Sequence, residues 1–308
     1  MRPQPLTSVN LPGLCDAALF APIRSLMLRL DPGRLPDADR LNMLLSSLGR
    51  RLESAGEKPV RFVEPSEAQG GYEQAVYAEG KVATRPDDWH DFFNALVWMR
   101  FPLVKRELNR RHRRGAMSQQ SVGASGRGPL RDAATLFDES GVIVASSDPA
   151  LSELLRRHAW RELFWARRDE VVRKMRFLVV GHATYDQLRA PFFGLCAKAV
   201  FCGVDRRFLD LDPDRQAEQM DVALAAAWAR EDMFLSPRAF APLPLLGIPG
   251  VTPDNECEAY YLDARQFRPP ADCRIRSAVE FSREVRQAAA GRVPRLEESP
   301  GPAEQDAG

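Results

Sequence analysis

Apolar and polar positions are threaded together most tightly over residues 89–114, WHDFFNALVWMRFPLVKRELNRRHRR. Phe92, Phe93, Leu96, Val97, Trp98 and Met99 surround most of a helix instead of forming one stripe, which predicts burial on nearly every side. Asp87 or Asp88 is placed to cap the start, where a short acidic side chain satisfies free amides. Pro102 has no amide to donate, so the pattern predicts a break or restart near Phe101. Two helices are expected, about 89–100 and 102–114. His90 and Asn94 share a face of the first; Lys105, Asn109 and His112 follow at i, i+4 and i+7 on the second. Such polar faces need partners, because an unpaired buried polar group costs roughly 1–3 kcal/mol.

The rest of the chain gives shorter signals. A proline-punctuated N-terminal stretch contains a short helix over 17–30. Asp37 opens an amphipathic helix carrying Leu41, Leu44, Leu45, Leu48 and Leu52 and ending at Gly56. Residues 60–63 read as a strand, and 72–77 with 81–84 as a hairpin. Residues 133–137 and 142–145 read as strands around an Asp138-Glu139-Ser140-Gly141 turn, which sets Asp132 and Asp138 on one strand face. Ser147-Asp148-Pro149 opens a helical region reaching about Met175 and broken near Ala159. Residues 177–180 form a buried strand, Gly181 a turn, and His182 opens a helix to about Arg189. Another apolar run, 199–202, follows Lys198, and Asp212-Pro213 starts a helix to about Asp232. Pro237, Pro242, Pro244, Pro249 and Pro253 predict a segment that wraps a surface instead of joining the sheet. The architecture expected is α+β: a helix-rich single domain over 1–275 around a small mixed β-sheet. A flexible loop is expected at 115–128, GAMSQQSVGASGRG, and a polar, disordered tail at 276–308.

Composition narrows the class. The chain has 308 residues, 44% hydrophobic and 28% charged, with net charge +1, which argues against a large polyanion footprint. No apolar run approaches the ~20 residues of a membrane span, and the N-terminus lacks the apolar stretch of a secretory signal. Cys15, Cys196, Cys202, Cys257 and Cys273 are scattered, odd in number and without CxxC spacing. Reduced thiols in a cytoplasmic protein are expected, not a disulfide frame or a cysteine zinc site. Neither a P-loop nor a GxGxxG arrangement is present.

The candidate chemistry lies in separate segments. His182 sits at a strand–Gly–helix junction, where free helix amides and a strand end converge on ligands in α/β folds. There an imidazole serves as acid, base or ligand, with His112 as a second such group. Asp132 is expected to orient or ligate. Lys105 and Asn109, with Asn94 and His90 on the neighbouring helix, are expected to hold a small polar or anionic ligand. Asp138 and Glu139 read as turn residues. Together these predict a soluble enzyme with an acid–base or metal-assisted hydrolytic site. Two alternatives stand beside it. One is a nucleotide or nucleic-acid binder using the basic run 110–114 next to Arg127. The other is an interaction or assembly protein docking through 237–253.

The segments HDFFNALVW, FPLVKRELNRRH, RDAATLFDESG, GHATYDQL with GLCAKAVF, APLPLLGIPG and a late FRP occur in that order between residues 90 and 269, within a likeness spread over about residues 10–270. In this the chain resembles a bacterial family known as domain of unknown function 3025. The resemblance implies a soluble bacterial protein of one family-wide domain and no particular reaction. It also leads one to expect an aromatic residue after LGIPG, where this chain has Val251.

Overall fold

The computed structural model describes residues 11–122 and 128–269. Helix α1 (Ala38–Ser47) is capped by the Asp37 carboxylate, which accepts from the Arg40 amide. It stops earlier than the leucine pattern suggested, since Gly49 takes a left-handed φ of 63°. Strand β1 (Arg61–Val63) follows. The hairpin expected next is absent: Tyr72–Glu79 is a helix, α2, closed by Gly80 at φ 71°. Its Glu, Gln and Ala residues favour a helix, and the glycine supplies the left-handed stop. Strand β2 (Lys81–Ala83) then runs parallel to β1, not back along α2.

Helices α3 (Trp89–Arg100) and α4 (Pro102–Val122) meet at Phe101, as the proline predicts. Asp88 caps α3 by accepting from the Asp91 amide at 3.0 Å. The buried Asp221 carboxylate caps α4, accepting from the Leu103 and Val104 amides at 3.1 and 2.9 Å. Residues 115–122, expected in a loop, continue α4, and the next helix, α5 (Gly128–Ser140), begins directly after the undescribed 123–127. The expected strand at 133–137 is therefore helical. Ala133, Ala134, Phe137 and Asp138 are its buried residues, a spacing of four and not of two.

Strand β3 (Gly141–Ser146) is buried at all six positions and centres a four-stranded sheet with β4 (Met175–Val179), β5 (Cys196–Gly203) and β6 (Ala241–Pro244), in the order β4-β3-β5-β6. β3 pairs antiparallel with β4 and parallel with β5, so Ile143 lies opposite Leu178 and Val200. A mixed sheet with a doubly covered central strand accounts for the unbroken apolar run GVIVA. The proline-bearing 237–253 segment joins this sheet after all. Its β6 pairs antiparallel with β5 at the edge, the position a strand containing Pro242 and Pro244 tolerates. Between β3 and β4 come α6 (Pro149–Arg156) and α7 (Arg168–Lys174), and after β4 comes α8 (His182–Leu188). Helix α9 (Pro213–Ala229) packs on α4. The whole is an α+β domain. No helix among the described residues is long and apolar enough to cross a membrane. Residues 276–308 lie outside the described residues.

Candidate functional site

Two close backbone approaches bring the site together. Gly141 follows α5 directly, and a Cβ there would lie 2.5 Å from the Phe137 carbonyl. A Cβ on Gly181 would meet Glu139 O at 2.5 Å and Ser140 Cα at 2.6 Å. Only glycine lets the end of β4 pass so near the end of α5, with the Val180 and Gly181 amides both donating to Gly141 O. The first residue beyond that crossing is His182, which is thereby set beside Asp138 and Glu139. Helix α3, packed on α8, brings His90 to the same place, and the two imidazole centroids are 4.5 Å apart.

A cavity of about 350 Å³ opens here, lined among others by Tyr72, Glu73, Arg85, His112, Asp138 and Glu139. It is a polar cavity, and unlike the hollows beside Arg167–Arg173 and Asp31–Arg40 it gathers histidines; an apolar groove of about 210 Å³ elsewhere offers one charged residue, Arg176, among side chains such as Val172 and Phe177. His90 Nε2 lies 3.4 Å and His182 Nε2 3.7 Å from Glu139 Oε2. Each ring turns its other nitrogen to an aspartate: His90 Nδ1 to Asp91 Oδ1 at 3.2 Å, His182 Nδ1 to Asp138 Oδ2 at 3.8 Å. Those aspartates are themselves anchored. Arg85 donates to Asp91 from its amide at 2.9 Å and from Nε at 2.7 Å. Lys105 Nζ donates to Asp138 at 2.5 Å and to Asn94 Oδ1 at 2.9 Å. Asn94 in turn donates to the Tyr72 hydroxyl at 2.8 Å.

The electrostatics follow from these contacts. Hydrogen bonds to Asp91 and Glu139 push His90 up to about 10. Burial pushes His182 down to about 4, overriding the attraction of Asp138. Burial also opposes the charges of Asp138 and Lys105, yet each holds the other ionised, the acid below and the amine above its ordinary range. The hydrogen bond from His90 lowers Glu139. Burial raises Tyr72 to about 12, so its hydroxyl keeps its proton while accepting from Asn94 and, at 3.3 Å, from Trp98 Nε1.

Of the residues singled out from the sequence, His182, His112, Asn94 and His90 line this cavity. Lys105 and Asn109 stand behind its wall: Lys105 is buried against Asp138 and Asn94, and Asn109 donates to Glu73 at 2.8 Å. His112 Nε2 faces Glu73 Oε1 at 3.5 Å. Asp132 is exposed and does not reach the cavity. On a helix it lies roughly 240° around from Asp138, not on the same face. Reading 133–137 as a strand hid Asp138 and Glu139, which helical phasing would have set next to the buried Ala134. Tyr72, Glu73, Arg85 and Asp91 carry no local signal; their segments meet the others only in the fold.

The basic run 110–114 has partners within the molecule. Arg110 pairs with Glu107 and Arg114 with Glu231. Arg111, buried, donates to the Trp228 and Arg230 carbonyls, and Arg113 lies over the Tyr77 ring. In the 237–253 segment Leu243, Leu245, Leu246 and Ile248 are buried.

Compared with known proteins, residues 60–271 match the family described as "Protein of unknown function (DUF3025)". No curated protein and no solved structure matches the chain.

Proposed function

Because the chain belongs to that family, whose description names no reaction, we propose from the cavity itself that the protein is a hydrolase acting on a small polar substrate. The observation that carries this reading is the meeting of two imidazoles and a carboxylate, His90, His182 and Glu139, from three separate segments at one wall of a polar cavity. Convergent titratable groups in a concave site are the parts from which water-activating sites are made.

In this reading water bound against the His90–Glu139–His182 cluster is the nucleophile and gives up its proton there. The Tyr72 hydroxyl, whose oxygen already accepts two hydrogen bonds, directs its own proton into the cavity. It polarises the substrate oxygen on which negative charge develops. The His112–Glu73 pair lines the same cavity and protonates the leaving group. The buried Lys105–Asp138–Asn94 chain positions these groups without touching substrate.

The test is a screen of the full-length protein against ester, amide and phosphoester substrates, followed by variants on whatever is turned over. Tyr72→Phe is expected to lower kcat by roughly 10²–10³-fold, the usual loss on removing one oxyanion donor. Glu139→Gln is expected to lower it by roughly 10²–10⁴-fold. Turnover that both variants leave intact would place the chemistry elsewhere.

A further inference from the structure

We infer that His90, Glu139 and His182 hold one divalent first-row transition metal of the zinc class, through Nε2 of each imidazole and Oε2 of the carboxylate. This deepens the hydrolase reading above and rests on the same cavity, but its geometry stands independently of turnover. One donor atom from each of the three residues lies within 4.8 Å of the others. The two nitrogens stand 3.4 and 3.7 Å from the shared oxygen. In a tetrahedral shell with bonds of 2.0–2.1 Å, ligand atoms are about 3.3 Å apart. The observed spacings are long for hydrogen bonds and close to the edges of such a shell.

His182 supplies a second, independent observation. Its side chain is 5% exposed, yet Nδ1 has no hydrogen-bond partner, and Nε2 is at ion-pair distance only from Glu139. An imidazole buried in this state lacks what normally compensates its desolvation. A metal at Nε2 fixes the proton on Nδ1 and aims it at Asp138 Oδ2. His90, with Nε2 toward the shared carboxylate and Nδ1 on the anchored Asp91, has the carboxylate–histidine–metal arrangement, and His182 turns Nδ1 toward Asp138 at 3.8 Å, too far for a hydrogen bond until the ring shifts. Asp91 acts as such an outer partner and not as a ligand, because Arg85 already occupies both of its oxygens.

Charge points the same way. Glu73, Asp91, Asp138 and Glu139 line the cavity, against Arg85 and His90 on the wall and Lys105 behind it, so carboxylates still outnumber cations by one and a metal would take the place of the proton on His90. The nitrogen–oxygen donor set lacks thiolate and suits zinc or ferrous iron more than a soft monovalent ion. Three protein ligands leave a position open toward the cavity, where a bound water acidifies to a pKa of roughly 7.

The experiment takes the tag-free, full-length protein, strips it with a chelator and titrates it with Zn²⁺ against a chromophoric competitor. Co²⁺ is then added as a spectroscopic probe. One ion per chain is expected, with visible Co²⁺ d–d bands. His182→Ala and Glu139→Gln should each weaken binding by more than the roughly 10–100-fold expected when an outer carboxylate is removed, as in Asp91→Asn. His90→Ala, at a half-exposed position, serves where a buried variant fails to fold, and thermal melts identify such failures. Absence of stoichiometric metal, or binding that His90→Ala and Glu139→Gln leave unchanged, would overturn the inference. Metal bound without hydrolysis in the substrate screen leaves the site standing and removes the hydrolase. Hydrolysis by the metal-free protein, together with no stoichiometric Zn²⁺ in the titration, removes the metal and keeps the hydrolase.

Discussion

At the scale of single residues, the cavity depends on one missing methyl group and one buried ion pair. Gly181 has an ordinary φ of −64°, so its requirement is space and not conformation. A Cβ there would collide with the Glu139 carbonyl and the Gly141 amide. Gly181→Ala should destabilise the fold by about 1–3 kcal/mol through overpacking and displace His182 from Glu139. Urea unfolding measures the first effect and the Zn²⁺ titration the second; an unchanged midpoint with unchanged metal affinity would contradict both. The buried pair gives a larger prediction. Lys105→Met removes one partner and leaves Asp138 charged in the interior, which costs roughly 3–5 kcal/mol. The double variant Lys105→Met/Asp138→Asn should recover part of that loss in equilibrium unfolding, because the stranded charge is gone. His182 was legible from the sequence since a strand, a glycine and a helix start are local signals. Glu139 was not, since DESG has turn chemistry whether it joins two strands or ends a helix.

At the scale of elements, the α3–α4 break shows what proline specifies and what it leaves open. Pro102 ends one helix and starts another. The partner for the freed amides of α4 comes from 117 residues or more away, as Asp221 on α9. Burial raises the Asp221 carboxyl to about 7, against the pull of the Val104 and Leu103 amides and of Arg50 and Arg100. The unfolded group titrates near 4. Between pH 4 and 7 the folded protein therefore holds a proton that the unfolded chain releases. The Asp221 contribution is fully present below about 4 and is lost as pH rises through about 7. Asp221→Asn should flatten this decline in urea midpoints measured from pH 4.5 to 8; parallel curves for the two proteins would count against it. Elsewhere, helix signals with caps were legible: Asp37, Asp88, Asp148 and Asp212 each accept from a first-turn amide. Residues 72–77 and 133–137 fit a strand as well as a helix, because short apolar runs with tyrosine, threonine or phenylalanine suit either period; the Gly80 stop and the i, i+4 spacing of Ala134 and Asp138 are the signals that favour the helix.

At the scale of the molecule, the cavity lies where α2, α3, α4, α5 and α8 converge, so a ligand held there ties together segments from Tyr72 to His182. A metal bound only by the folded state should stabilise the whole domain. At a free Zn²⁺ concentration about 100 times the Kd, the gain is about 2.7 kcal/mol. It is read as a rise in Tm that chelation reverses and that Glu139→Gln abolishes. An equal rise in that variant would mean the ion binds somewhere else.

The sequence by itself determined the α3–α4 break, the capped helix starts and the place of His182, because each rests on a neighbour within a turn or two of chain, and the α+β class and the family, which rest on the order of segments along most of it. The tertiary structure alone decided that a proline-bearing strand closes the sheet edge, and that His90, Glu139 and His182 meet while Asp132 does not. Those outcomes depend on contacts between segments tens of residues apart, and no local period or turn residue encodes which distant surface a segment will cover.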